Sequence, residues 1–287
     1  MATFRSNHFR LRYGTDQISD HFNLGLLYYK YSPFFENDKK KINIPGLPNL
    51  DKIKFLKEYA TLSRKTGSSQ LNKRMQIIKD LPNVTKVPLT TQSRFLCGVG
   101  YQSRVEWGFS FDWTTGIPYL PGSSWKGALL SYLEFCHPES LPVERWQDGN
   151  DRAKLDNSIW EKNEIIEIFG PQGESIAHPA MGKTTFFNAY PTNFKGFEVD
   201  IITPHYKEYY ENPQTHPPAD IYNPVPIPFL TLPKGTTFAF CFKFRNDATE
   251  QEKEKLKQLI REAGENYGFG AKTATGYGYF QANELNL

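Results

Sequence analysis

Apolar positions along this chain fall at two spacings, and the spacing switches several times. Thr236-Thr-Phe-Ala-Phe-Cys-Phe-Lys-Phe244 alternates with period two, which predicts a half-buried strand. Just after it, Leu256, Leu259, Ile260 and Ala263 recur at helical spacing behind Thr249, a good N-cap, and predict a helix over 249–263. Working back, Gly182 to Tyr190 and Phe197 to Thr203 read as strands, and Arg94 to Gly100 as a short apolar strand ending in glycine. Ser123 or Ser124 caps a helix whose face is Trp125, Leu129, Tyr132, Leu133 and Cys136. A further helix over 157–169 uses Ile159, Trp160, Ile165, Ile166 and Phe169 and stops at Gly170-Pro171. Tyr277 to Leu285 closes the chain as a strand. Before residue 90 the pattern is weaker: Asp51 to Leu62 reads as a helix, His21 to Lys30 as a looser one, and Asn43 to Asn49 as a break. Residues 137–157 are polar and mixed in charge, a surface excursion. Residues 204–233 hold eight prolines, which argues against a sheet core and for an ordered projection followed by a linker.

With the excursions removed, the order from Arg94 is strand, helix, strand, strand, helix, strand. That is an α+β, ferredoxin-like (RRM-like) arrangement. It divides the chain into a basic, partly helical extension over 1–93 and a domain with insertions over 94–287. Both helices of such a unit cover one sheet face and leave the other open, the face with which RNA-recognition domains meet nucleic acid.

Charge sharpens that reading. The net charge is only +3, yet residues 39–86 hold twelve Lys/Arg against three Asp/Glu, +9, so the remainder sums to −6. A basic block of this kind points to a polyanion, although a solvated helical face explains it as well. Cys97, Cys136 and Cys241 have no C-x-x-C or metal-ligand spacing and sit in apolar runs, as core residues of a reducing compartment do. Neither a signal peptide nor an 18-residue apolar run is evident. The expectation is a cytoplasmic protein without membrane contact.

Two stretches carry candidate chemistry. Gly264 to Phe280 contains Gly264, Gly268, Gly270, Gly276 and Gly278 around Lys272. Glycines admit positive φ and close approach of another molecule, and successive amides form anion-binding nests. The loop follows a helix and lacks the Walker spacing, so it is not a nucleotide loop; a plain helix cap and tight turn is the simpler alternative. The second stretch is the helix start at Ser123, Ser124 and Lys126. Free amides there suit a phosphate, while a cation in the first turn opposes the helix dipole and so points to an external anion. Pairing of Lys126 with Asp112 or Glu106 is the structural alternative. Glu106 and Asp112 are the one acidic pair to consider for a metal-dependent nuclease. His205 is the candidate base for a metal-independent one. The six histidines are scattered, no zinc spacing exists, and no G-x-S-x-G elbow supports a Ser/His/Asp triad. The residues call for no metal and no cofactor.

These stretches together carry a resemblance. Thr115-Gly116-x-Pro118-Tyr119-x-Pro121-Gly122-Ser123-Ser124-x-Lys126-Gly127 and Gly268-Phe-Gly270-Ala-Lys272-Thr-x-Thr-Gly276-Tyr-Gly278 resemble the N-terminal signature and glycine-rich motif of the RAMP superfamily of CRISPR proteins. Phe186-Phe187-Asn188-Ala189-Tyr190-Pro191 and Asp200-Ile-Ile-Thr-Pro204-His205-Tyr206 are similar to its members in type III-B (Cmr) effector complexes. The resemblance covers residues 94–285. It implies a non-catalytic RNA-binding subunit for antiviral defence, with guide (crRNA) and target RNA and other Cmr-type subunits as partners. The RNA-binding residues it implies are Ser123, Ser124, Lys126, Gly268, Phe269, Gly270, Ala271, Lys272, Thr273, Gly276, Tyr277 and Gly278, with Tyr267, Phe269 or Tyr277 stacking on bases. His205 and Tyr206 are implied contacts to RNA or a subunit. Target-cleaving relatives carry an aspartate where the spacing here places Glu106, which argues against cleavage by this chain. The alternatives are a CRISPR-associated endoribonuclease and a subunit that contacts only protein.

Overall fold

The computed structural model describes residues 23–30, 36–37, 40–41, 52–65, 68–103, 105, 107–136, 160, 162–171, 181–217, 226–245 and 248–282. In chain order the elements are α1 (Leu24–Tyr29), β1 (Glu36–Asn37), β2 (Lys40–Lys41), α2 (Lys52–Ser63), α3 (Ser68–Asp80), β3 (Thr85–Thr91), α4 (Gly122–Cys136), α5 (Lys162–Phe169), β4 (Thr184–Phe186), β5 (Tyr190–Pro191), β6 (Glu198–Ile202), α6 (Lys207–Glu211), β7 (Ile227–Thr231), β8 (Thr237–Phe244), α7 (Glu250–Asn266) and β9 (Phe280–Ala282). They gather into two compact units, neither of them a continuous stretch of chain. The first comprises Met1–Asn72, Gly98–Pro118 and Phe194–Pro233, the second Lys73–Cys97, Tyr119–Asn193 and Lys234–Leu287.

The second unit is built on an antiparallel sheet in the order β4-β8-β3-β9, with β5 also paired to β8. Its first strand is Thr85–Thr91, not the expected Arg94–Gly100. Val87, Leu89 and Thr91 are buried while Lys86 and Pro88 are exposed, a two-residue period that a proline and three threonines disguise. Pro88 is tolerated because the chain alternates its donors. Thr91 N–H donates toward β8 and Gln92 N–H toward the β9 side, so the nitrogen of residue 88 also faces the β9 side, where pairing among the described residues reaches only to Leu89. Phe238, Phe240 and Phe242 of β8 are fully buried. Phe240 packs edge-on to Trp125 of α4, ring centroids 5.5 Å apart, and against Phe280 at 5.5 Å. α7 lays Leu256, Leu259, Ile260 and Ala263 on this face. Its start is a capping box in which Thr249 Oγ1 accepts from Glu252 N–H and Glu252 accepts from Thr249 N–H.

The opposite face is not bare. Arg74 of α3 sits over the Tyr190 ring at 5.2 Å and Tyr119 stacks on it at 5.8 Å. Ala239 and Cys241 are buried, and burial pushes the Cys241 thiol up to about 11. Exposed positions on this side include Lys86, Pro88, Thr185 and Gln281. Cys97 is buried as expected, and Cys136 is half-buried.

The first unit is an aromatic cluster under α1 and α2. Phe197 meets Phe109, Phe111, Tyr59 and Phe194 at 5.1–5.8 Å. Its amide donates to Ser63 Oγ at 2.8 Å, and Tyr59 Oη donates to the Leu24 carbonyl at 3.0 Å. Here the proline-rich segment departs from expectation. Ile227–Thr231 is a strand paired to β6 in five registers, with Phe229, Leu230 and Thr231 buried. Pro228 fits because a two-stranded ribbon has edges that need no amide donor.

The helix expected over 157–169 is α5 from Lys162, and residues 157–159 and 161 lie outside the described residues. So do Glu106, residues 137–157, the Asn43–Asn49 break and residues 283–285. The final strand is Phe280–Ala282 rather than Tyr277–Leu285. No helix among the described residues is long and apolar enough to cross a membrane.

Candidate functional site

The two stretches singled out from the sequence belong to the same compact unit and rest on one residue. Phe240 of β8 packs on Trp125 in the first turns of α4 and, at 5.0 Å, on Phe269 of the glycine loop. Phe240 therefore lies beneath both the loop and the helix start.

The loop is fastened at each end by main-chain bonds. α7 ends as Tyr267 and Gly268 N–H both donate to the Ala263 carbonyl, at 3.0 and 2.8 Å. Phe269 N–H donates to Gly278 C=O at 2.8 Å, Gly278 N–H to Arg94 C=O at 2.8 Å, and Ala271 N–H to Leu96 C=O at 2.7 Å. Arg94 and Leu96, in the segment that the pattern predicts as the first strand, thus serve as the dock for the glycine loop. At Gly278, φ is +72°, and a Cβ there would overlap the Phe269 carbonyl oxygen; only glycine closes this turn without displacement. Between the fastenings a 3₁₀ turn, Thr273–Thr275, projects, flanked by Lys272 and Gly276, both left-handed.

This geometry corrects two expectations. The amides of Gly268, Phe269, Ala271, Thr275, Gly276, Tyr277 and Gly278 already donate within the protein, so the loop is not a continuous anion nest. Among its amides, those of Gly270, Thr273 and Ala274 donate to no described residue. Phe269 is fully buried against Phe240 and Phe280; it anchors the loop and is not available for stacking. Tyr267 leans on Tyr132 at 6.2 Å. Tyr277 and Thr273 are half-buried at the loop surface, and Ala274, Thr275 and Gly276 are exposed. Lys272 is the unusual residue: a lysine at φ 60°, ψ 34°, where a side chain costs about 1–2 kcal/mol. Such strain persists where the surroundings impose it and concentrates at functional positions.

The helix start differs from expectation in its cap. α4 begins at Gly122, whose N–H donates to Asn188 Oδ1 at 3.0 Å, while Ser124 and Trp125 N–H donate to Pro121 C=O. The cap comes from a residue 66 positions away, a pairing no local pattern reveals. Trp125 Nε1–H donates to Phe187 C=O at 2.8 Å, locking the first turn on the 186–188 segment. Ser123 and Ser124 remain exposed, and Ser123 N–H donates to no described residue. Lys126 holds its Nζ 5.9 Å from the Phe186 ring centroid and is half-buried; burial lowers its pKa. No described carboxylate pairs with it, and Asp112 is engaged elsewhere. Asp112 Oδ1 accepts from Thr114 N–H, Thr114 Oγ1 and Thr115 N–H.

His205 and Tyr206 belong to the other unit, where His205 is exposed beside the Tyr206 ring at 6.3 Å. The described residues contain no group of three His, Cys, Asp or Glu side chains able to hold a metal.

The glycine-rich loop and the lysine-bearing helix start both lie within residues 89–281, which the RAMP superfamily model matches, and the chain belongs to that superfamily. Within that class the similar curated proteins carry one name. The CRISPR system Cmr subunit Cmr6 of Pyrococcus furiosus is 28% identical over an alignment 333 positions long, covering 89% of this chain and 93% of that protein. The Cmr6 of Saccharolobus solfataricus is 26% identical over 219 residues, 74% of this chain and 63% of that protein. Among solved structures, a chain of a type III-B Cmr-beta complex bound to cognate target RNA covers 92% of this chain at 24% identity, with a TM-score of 0.57 and 91% of its own length matched. That likeness shows a shared fold.

Proposed function

We propose that this chain is a non-catalytic RNA-binding subunit of a type III-B (Cmr) CRISPR effector complex, holding guide RNA near the end of the backbone filament. The similar Cmr6 proteins support the assembly. The sheet of the second unit supports the fold. Its strands β4, β8, β3 and β9 are the second, third, first and fourth of a strand-helix-strand-strand-helix-strand order, which we read as ferredoxin-like. One observation carries the RNA reading: a half-buried Lys126 that pairs with no described carboxylate, and a strained Lys272, on segments that share Phe240 as their support. Phosphates meet the Ser123 amide, the two ammonium groups and the free loop amides; Phe269 holds the loop from below. Asp112, tied into its own turn, speaks against a metal role for that residue.

The test is guide RNA retention by the reconstituted complex across a salt series. Replacing Lys126 or Lys272 by Glu weakens retention and lowers the slope of log affinity against log salt by about 0.7 per lost phosphate contact. Unchanged affinity and slope in both variants refute the reading.

A further inference from the structure

Trp113 lies on a turn of the first unit that no part of the RNA site above uses. Its side chain is 60% exposed, yet the turn is tightly determined. Asp112 Oδ1 accepts three bonds of 2.6–3.1 Å from Thr114 and Thr115. Asp112 N–H donates to Ile117 C=O at 2.8 Å, and Gly116 N–H to Asp112 C=O at 2.6 Å. Gly116 takes φ +71°, and a Cβ there would run into Asn23 and Leu24. Asn23 works in two directions. Its Oδ1 accepts from Leu26 N–H at 2.9 Å and caps α1, while its Nδ2–H donates to the Trp113 carbonyl at 2.9 Å. Behind the indole stands Tyr29, ring centroid 5.6 Å away at 41°. Tyr29 is itself fixed, since its hydroxyl donates to Phe109 C=O at 2.7 Å and accepts from Phe109 N–H at 2.8 Å.

Folding gives no reason for a tryptophan here. The turn is specified by Asp112, Gly116 and Asn23, and leaving most of an indole in water forgoes the burial that favours the residue. An exposed ring backed by a second, fixed ring on a determined turn is instead what a stacking ligand needs, because less ordering is left for binding to impose. We propose that Trp113 is a preformed stacking platform for an unpaired RNA base, a second RNA contact beyond the glycine loop and helix start. The surroundings favour a base over a protein partner. In the chain the indole is followed by two polar residues, Thr114 and Thr115, rather than by further apolar side chains. The same unit also carries Lys54, Lys57, Arg64 and Lys65 as an exposed stripe along α2 and its end, none paired with a described carboxylate. Phosphates complement that charge, while a flat ring complements a base of any identity.

The inference rests on the chain being an RNA-binding protein, but not on which lysines hold the backbone. The full-length chain is mixed with a 5-bromouridine-substituted single-stranded RNA, irradiated, and mapped by mass spectrometry, with affinity followed by fluorescence anisotropy. The expected crosslink falls on the peptide containing Trp113. Trp113→Ala weakens binding by about five-fold to a hundred-fold, the loss of one stacked base, Trp113→Phe retains most of it, and all three proteins melt at the same temperature. A Trp113→Ala protein with unaltered affinity and no crosslink at this peptide overturns the platform. So does a variant that binds RNA normally but fails to enter the complex, which makes the indole a subunit contact. If Trp113→Ala weakens binding while Lys126→Glu and Lys272→Glu do not, the platform stands and the loop-and-helix site falls; the reverse result does the opposite.

Discussion

Lys272 and Lys126 show the same conflict between stability and function in two forms. Lys272 is held left-handed in a turn where glycine would be unstrained. Replacing it by Gly is expected to leave thermal stability unchanged or raise it by up to about 1 kcal/mol, since relief of strain exceeds the added chain entropy of glycine. The same change reduces RNA retention, and calorimetry beside a binding assay separates the two effects. Lys126 is disfavoured as a cation by burial, which lowers its pKa. A depressed lysine pKa means the charged form destabilises the fold below that pKa, a penalty relieved as pH rises through it toward 10.5. Lys126→Met therefore folds at least as well as the parent at neutral pH and loses RNA. A Lys126→Met protein that melts several degrees lower would assign the lysine to the fold. Gly278 is the opposite kind of residue, required for closure. Gly278→Ala places a methyl against Phe269 C=O at positive φ and is expected to cost at least about 2 kcal/mol, read from denaturant unfolding.

At the scale of elements, α7 and its neighbours are joined by charge. Lys183, just before β4, bonds Glu252 of the capping box and, at 3.1 Å, Glu167 of α5; Lys255 bonds Glu164 at 2.5 Å. The Lys183 ammonium, with the Thr249 amide, holds the Glu252 carboxyl down to about 2. Its folded pKa is thus below its ordinary 4.5, so the stabilisation is complete above pH 4.5 and fades as pH falls toward 2. Lys183→Met is expected to cost about 1 kcal/mol at pH 7, these groups being partly solvated, and to flatten stability over that acid range; an unaltered acid profile would contradict the pairing. Elements whose cues are local were legible in the sequence, α7 from Thr249 and its apolar stripe and β8 from its alternating phenylalanines. Elements made by long-range pairing were not. Pro228 read as part of a breaker-rich segment because only β6 shows that it belongs to a paired ribbon, and the alternation of β3 shows only once β8 lies beside it. The Asn188 cap was hidden for the same reason, and Phe269 read as a stacking residue because a loop aromatic shows its burial only once Phe240 and Phe280 are placed.

For the whole molecule, the motifs pointed to the RAMP superfamily, to which the chain belongs, whereas the RNA site is proposed from residue chemistry. The helix start at 122–126 and the glycine loop fall in one compact unit and share Phe240, while the nest expected of the loop is reduced to a few amides beside two lysines. The central claim is that these two segments meet the guide. Ultraviolet crosslinking of the assembled complex to its guide RNA, with peptide mapping, tests it most directly. The account predicts crosslinks within 122–127 and 270–277 that disappear in the Lys126→Glu and Lys272→Glu variants. A guide that crosslinks elsewhere in this chain, or to neighbouring subunits alone, while both segments stay unmodified, would contradict it.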